Sequence, residues 1–214
     1  MKRITLISAI IIGMMCSNTQ KVQAQNNKGE FVASAGAGYS VLFAVLNSLG
    51  SYSSNITNGT ITSNGIPVIS VAGDYALSDR FSLGLGVGYQ STGFTVTGFS
   101  DSSNGLTNQS ATVDISRLNI GLRPLFHFGS NPNIDPYLGF RVGVSIWNVG
   151  SSSTDPNFNY ASKLTGALPS FQALFGLKGY FTPMIGAHIE VAIGTPYLVE
   201  AGLSFKFGGT VGGK

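Results

Sequence analysis

The chain has 214 residues, with 12 Lys and Arg against 9 Asp and Glu, and only 10% of its residues are charged. Soluble domains average about 25% charged residues, so this composition argues against an ordinary water-soluble domain. It also excludes a basic nucleic-acid-binding protein, because three of the basic residues fall in a predicted leader and the others balance the acidic ones.

The N-terminal segment predicts a secretory signal peptide over residues 1–24. Two basic residues precede an apolar run at residues 4–15, and the polar stretch after it ends in VQAQ. A basic region, a short apolar region and a small-residue cleavage site form the pattern of such signals, and we expect cleavage after Ala24. The alternative is a lipoprotein signal that acylates Cys16, which is less favoured because the bulky Met15 precedes that cysteine.

Cleavage would change the charge balance and the cysteine content. It would remove Lys2, Arg3 and Lys21, leaving nine basic residues against nine acidic ones, together with the only cysteine of the chain. The mature protein is therefore expected to be nearly neutral and without disulfides. No other segment reaches the run of about 18 apolar residues that a transmembrane helix needs.

The mature chain predicts eight β-strands. The stretch RFSLGLGVGYQ (Arg80–Gln90) alternates between bulky apolar residues on one face and Gly, Ser or Gln on the other. Such a period of two is typical of a strand whose faces meet different environments. An alternative continues the third strand through Phe94, Val96 and Phe99. No segment predicts a long amphipathic helix. The predicted strands are residues 30–40, 65–77, 80–90, 112–128, 136–148, 168–181, 185–193 and 197–207.

The predicted connections alternate in length. Those after strands two, four and six are short, whereas residues 41–64 and 149–167 form long loops rich in Ser, Asn, Thr and Gly. Short turns at one end and long loops at the other are typical of outer-membrane barrels, with the short turns in the periplasm. The connection at Thr195–Pro196 is short where this rule predicts a long loop, so the strand count depends on it.

The distribution of side chains favours a barrel over a sandwich. In a soluble sandwich the solvent-exposed faces of the sheets should carry most of the charge. In this chain the faces opposite the apolar residues are instead dominated by glycine. We therefore predict an all-β fold: a closed antiparallel up-and-down transmembrane barrel of about eight strands at residues 25–207, followed by a glycine-rich tail at 208–214. The apolar side chains would face lipid, and Gly, Ser and charged residues would fill the interior. A secreted β-sandwich or a lipid-free adhesin is the alternative.

Aromatic spacing supports the membrane prediction. Phe31 and Tyr39 lie eight residues apart on the apolar face of strand one, as Phe81 and Tyr89 do on strand three. In a tilted strand each pair would be roughly 20 Å apart along the membrane normal. This spacing approaches that of the two aromatic girdles of a membrane barrel.

Three stretches resemble small eight-stranded outer-membrane barrels of the OmpA-transmembrane and OmpX type: DYALSDRFSLGLGVGYQ, DPYLGFRVGVSIW and the closing GLSFKF. The resemblance covers residues 30–207. The closing strand is similar to the aromatic-ended strand that the barrel-insertion machinery reads, so the resemblance implies this machinery as a partner. It identifies architecture rather than activity.

The charged residues on the inward face are the candidate functional set. Isolated charges in a narrow lumen would be costly, so we expect a paired network. One interpretation is a structural filling that fixes the register of the barrel, and the other is a gated path for protons or small ions. The predicted lumen residues are Asp74, Arg117, Arg123, Arg141, Lys178, Glu190, Glu200 and Lys206, together with His127 and His188.

The sequence predicts no catalytic residues, cofactor or metal site. Both histidines should lie near the periplasmic ends of their strands, far from the external leaflet, and no GxSxG or HExxH motif is present. The glycines of GLGVGY belong to strand alternation and precede no helix. An enzyme that modifies lipid A is therefore the least favoured function.

An apolar run stands where an external loop should begin. It either extends strand one above the bilayer or folds over the barrel mouth, and the functional alternative is an apolar contact for lipid, a host surface or another protein. The residues of this possible loop contact are Val41, Leu42, Phe43, Val45 and Leu46.

Together these features predict a non-enzymatic integral protein of the outer membrane of a Gram-negative bacterium, structural or surface-binding through its external loops. A narrow channel for small ions or solutes is the alternative. The expected partners are outer-membrane lipid or lipopolysaccharide, the insertion machinery and an external ligand, and no cofactor or nucleic acid.

Overall fold

The computed structural model describes residues 26–52, 60–101, 106–129, 131, 133–155 and 164–208. The predicted signal peptide and most of the glycine-rich tail lie outside these residues. The strands are β1 Phe31–Tyr39, β2 Thr60–Ser78, β3 Phe81–Asp101, β4 Leu106–His127, β5 Ile134–Ser153, β6 Leu164–Tyr180, β7 Ile185–Gly194 and β8 Val199–Phe207; the helix is α1 Val41–Tyr52.

Each strand pairs antiparallel with its neighbours in chain order, and the ring closes between β1 and β8. The closing pair runs from Phe31 opposite Phe207 to Tyr39 opposite Val199. The prediction of a closed eight-stranded antiparallel barrel is confirmed, including the short connection at Thr195–Pro196. Closure pairs the backbone of every strand with two neighbours, which removes the free edges that an open sheet would have.

Bulky apolar side chains cover the outside of the barrel. Phe31, Tyr39, Phe81 and Tyr89 are all exposed on this surface, as the alternation predicts. The buried side chains that point inward are mostly polar or charged, with a small apolar cluster among them. The barrel is therefore inverted relative to a water-soluble one. Among the described residues, no helix is long and apolar enough to cross a membrane.

The two ends of the barrel differ. The lower end carries both described chain ends and the short turns after β2, β4 and β6. The upper end carries α1 and the other connections. There β3 takes its longer alternative, past Phe99. The strands β2, β4, β5 and β6 are longer than predicted, because Ser-, Thr- and Gly-rich stretches that were expected as loops continue the hydrogen-bonded ladder. Polar composition indicated loops, but backbone pairing does not require apolar side chains.

The prediction of a loop over residues 41–64 is wrong in its first part. Residues 41–52, predicted as part of a long loop, form α1. Ser40 caps it, since its Oγ accepts a hydrogen bond from the backbone N–H of Phe43 at 3.1 Å. The helix packs against β2 and β3, where Ser63 Oγ donates to Asn47 Oδ1 at 3.0 Å. A serine cap before six mostly apolar residues is the local signal that predicts this helix.

Candidate functional site

The lumen holds a network of charged and phenolic side chains, which we call the central network: Asp74, Arg123, Tyr137, Lys178, Glu190 and Tyr197. Arg123 joins both carboxylates, with Nη2 2.6 Å from Glu190 Oε1 and Nε 3.3 Å from Asp74 Oδ1. Lys178 Nζ lies 3.3 Å from Asp74 Oδ2. All four charged groups are buried. They come from β2, β4, β6 and β7, so the network ties opposite walls together.

Two tyrosines complete the central network. Tyr137 donates a hydrogen bond to Glu190 Oε1 at 2.7 Å, and Tyr197 donates to Glu190 Oε2. The ring of Tyr137 also lies 4.8 Å from Lys178 Nζ, in the range of a cation–π contact. Glu190 thus has Arg123 and both phenols as partners, which compensates for the removal of its charge from water.

Glycine makes room for these long side chains. A Cβ on Gly84 would meet the Asp74 carboxylate, and one on Gly86 would lie 2.9 Å from both Arg123 Cδ and Arg141 Cζ. Gly176 lies directly beneath the ring of Tyr137. At these three positions, a side chain larger than hydrogen would collide with a residue that crosses the lumen above the glycine.

The other predicted lumen residues do not join the central network. Arg117 and Arg141 are buried, but neither forms an ion pair within 4 Å with a carboxylate of the described residues. Glu200 instead lies 3.3 Å from His188 Nε2, and Lys206 lies 3.4 Å from Glu30 near the lower end. The expected single network is thus divided, because the side chains reach different heights in the lumen.

The connection between β7 and β8 folds into the upper lumen, and we call residues 195–198 the inner turn. Arg117 Nη2 donates to the Pro196 carbonyl at 2.5 Å, and Gln172 Nε2 donates to the Tyr197 carbonyl at 2.8 Å. Gly194 has a φ of 121° where the chain leaves β7, a conformation that favours glycine. The ring of Pro196 approaches Gly88 on the opposite wall, so the turn spans the lumen above the central network.

A serine, a histidine and an aspartate meet at the lower end, an arrangement that sequence reasoning missed. Ser82 Oγ is 2.8 Å from His127 Nε2, and His127 Nδ1 is 2.9 Å from Asp135 Oδ1. This order of contacts is that of a Ser-His-Asp triad. However, Ser82 is only 1% exposed, which leaves no room for an acyl group beside Oγ. The arrangement instead links the lower ends of β3, β4 and β5.

Some buried residues were not predicted, although the alternation of their strand places them on the inner face. Glu30 and Asp135 continue the inward alternation of β1 and β5, yet they were assigned to a strand start and a turn. Tyr137 shares that alternation. Tyr197 had no such signal, because its position depends on the inner turn. The described residues contain no group of three or more His, Cys, Asp or Glu side chains that could hold a metal ion.

The five residues predicted as an apolar loop contact all lie in α1 and differ in their exposure. Leu46 is buried, Leu42 and Phe43 are half-buried, and Val41 and Val45 are exposed. The ring of Phe43 packs edge-on against Tyr39, with ring centroids 5.5 Å apart. Only two of the five residues therefore face outward from the helix.

No family model and no curated protein matches the chain. Solved structures do match. The N-terminal β-barrel domain of Pseudomonas aeruginosa OprF is 15% identical, with 85% of this chain and 98% of that one covered and a TM-score of 0.45. The attachment invasion locus protein Ail of Yersinia pestis is 14% identical, with coverages of 84% and 99% and a TM-score of 0.44.

The outer membrane protein OprG from Pseudomonas aeruginosa is 12% identical, with 86% of this chain and 99% of that one covered and a TM-score of 0.49. The eight-stranded closed ring of this chain has the architecture that the resemblance implied. The assignment of the barrel rests on its own hydrogen-bonded ring.

Proposed function

We propose that this chain is an integral outer-membrane barrel of a Gram-negative bacterium, without catalytic activity, that acts through the surface at its upper end. The observation that carries this proposal is a lumen filled at two levels, by the central network and by the inner turn above it. A filled lumen supports a binding or structural role over conduction. The apolar exterior supports insertion in lipid, because such a surface would be costly in water.

The proposed orientation has the short turns in the periplasm and α1 outside the cell. Outer-membrane lipid or lipopolysaccharide would surround the apolar exterior, and the barrel-insertion machinery would act on the closing strand. An external ligand would meet α1 and the long upper ends of β2 to β6. Val41 and Val45 supply exposed apolar surface on that side.

The wild-type protein should fractionate with the outer membrane and migrate faster on gels before boiling than after, as a closed barrel that resists detergent. In planar bilayers its conductance should stay at background, because the central network and the inner turn occupy the lumen. Stable single-channel steps from the wild-type protein would overturn the filled-lumen interpretation and favour the narrow channel. The buffer without protein, and the same sample after boiling, are the controls.

Ser82, which contacts His127 at the lower end of the barrel, should not react as a nucleophile. Folded protein treated with a fluorophosphonate should remain unlabelled at Ser82, because its Oγ is enclosed by the barrel. Mass spectrometry of the treated protein measures this directly. Labelling of Ser82 that disappears in His127→Ala would instead indicate an accessible triad and an enzyme.

A further inference from the structure

The polarity of the wall reverses near the upper end of the barrel. On β3, Tyr89 is exposed on the apolar exterior and Gln90 is buried in the lumen. Residues two apart on a strand share a face, and the β3–β4 register is unbroken from Gln90 to Thr97. Phe94 and Val96 therefore lie on the inner face, whereas Thr95 and Thr97 lie on the outer face.

The same reversal occurs on the neighbouring strands. Arg117 is buried in the lumen and pairs with Gln90 on one side and Trp147 on the other. Val113 and Ile115 of β4, and Trp147 and Val149 of β5, share its inner face and are half-buried. The outward neighbours on these strands are polar: Asp114, Ser116, Asn148 and Ser152. Above this level the wall is thus polar outside and apolar inside.

This reversal is expected where a barrel leaves the membrane, since a wall in water needs a polar exterior. It does not explain the apolar interior, which a water-filled mouth would not favour. The helix α1 packs on β2 and β3 and accounts for part of that interior. The apolar strip, formed by Val113, Ile115, Trp147 and Val149, lies on β4 and β5, whereas the main contacts of α1 are with β2 and β3.

A cation lies at the base of this strip. Arg117 is only 4% exposed, and its guanidinium carbon is 5.0 Å from the centre of the Trp147 ring. Both of its hydrogen bonds come from Nη2 and go to neutral acceptors, Gln90 Oε1 at 3.0 Å and the Pro196 carbonyl. In the part of the chain that the structure describes, its Nε has no hydrogen-bond partner. A buried guanidinium without a carboxylate is costly, so an anionic group would be stabilised here.

We infer that the strip binds a long-chain carboxylate, with the apolar chain along β4 and β5 and the carboxylate directed to Arg117. Charge complementarity selects this occupant, because a purely apolar partner would leave the guanidinium without an anion. From Arg117 to Val113 the strip rises by roughly 14 Å along the strand, which suits an extended alkyl chain. The inference rests on the proposed function, since it names the class of external ligand.

The single tryptophan of the chain provides the readout. Trp147 is the only one in the sequence and lies beside Arg117. In lipid nanodiscs, a stearic acid brominated along its chain should quench its fluorescence saturably. The matching methyl ester, which lacks the negative charge, should require about tenfold higher concentration for the same quenching. Nanodiscs with a brominated phospholipid serve as the control for quenching from the bilayer.

Three variants test which residues bind the carboxylate and the alkyl chain. Arg117→Gln should weaken quenching by the acid about tenfold and leave that by the ester nearly unchanged. Ile115→Asn should weaken both, whereas Ser116→Asn, one residue away on the opposite face, should weaken neither. Gel mobility before boiling verifies that each variant is folded. If Arg117→Gln does not fold, Ile115→Asn compared with Ser116→Asn still decides the location of the chain.

Quenching that does not saturate, or that is equal for acid and ester, would overturn the inference and leave the carboxylate in the bilayer. A stable dimer that abolishes quenching would also overturn it, by making the strip an interface between copies. These outcomes are distinct from failure of the proposed function, which would appear as conductance or as loss from the outer-membrane fraction. If the barrel is folded and non-conducting but the acid does not quench its fluorescence saturably, this inference is overturned and the proposed function stands.

Discussion

Replacing Arg123 with methionine should lower the free energy of unfolding of the barrel by about 3–5 kcal/mol. The guanidinium is the only cation within 4 Å of Glu190 among the described ion pairs, and it also contacts Asp74. Without it, Glu190 keeps only the two phenols as partners, and its charge stays buried. Urea titration in lipid vesicles, followed by the gel mobility of unboiled samples, measures the loss.

Two controls separate charge burial from other effects of the Arg123 substitution. Arg80→Met removes a cation from an exposed turn and should change the unfolding midpoint little. Adding Glu190→Gln to Arg123→Met should recover part of the loss, because the double variant no longer buries an unpaired carboxylate. Strictly additive losses would show that Arg123 and Glu190 are not energetically coupled. A single variant as stable as wild type would show that Arg123 contributes little to stability.

Adding one methyl group at Gly176 should also destabilise the barrel, by about 1–3 kcal/mol. The new Cβ of Gly176→Ala would occupy the position of the Tyr137 ring. That ring is fully buried and cannot turn away without breaking its hydrogen bond to Glu190. The cost arises from a collision inside the lumen rather than from the backbone of β6.

Gly179, on the same strand, is the matched control for this substitution. A Cβ at Gly179 would meet nothing within 4 Å, so Gly179→Ala should leave the unfolding midpoint unchanged or slightly raised. The cost of Gly176→Ala should shrink in a Tyr137→Ala background, where the ring is gone. Equal midpoints for Gly176→Ala and Gly179→Ala would contradict the assignment of Tyr137 to the space above Gly176.

The sequence predicted the outer and inner faces of the barrel well. Alternation in β3 assigns Leu83 and Leu85 to the exterior and Ser82 to the lumen, and the structure agrees. The same rule directs Arg123, Arg141 and Glu190 inward. These predictions hold because the side chains of successive strand residues point to opposite faces whatever the strand pairs with.

The same local reasoning failed for segments that are not strands, where side chains do not alternate between two faces. The segment after Tyr39 was predicted as a loop, yet Ser40 caps a helix whose stability depends on packing against β2 and β3. Of the inner turn, Thr195 and Pro196 were predicted as a short connection, but residues 197–198 were predicted as the start of strand eight, which is wrong because β8 begins at Val199. The course of the inner turn into the lumen depends on Arg117 and Gln172, which lie far from it in sequence.

By itself, then, the sequence determined the class of fold, the number of strands and the face on which each predicted lumen charge lies. Only the tertiary structure decided which charges meet: Arg123 pairs with Glu190 and Asp74, and Lys206 pairs with Glu30, whereas Arg117 has no carboxylate within 4 Å among the described residues. The physical reason is that a strand's period is a local property of the backbone. Contacts across the lumen depend on the tilt and stagger with which eight strands close into a ring, and no short stretch of sequence encodes these.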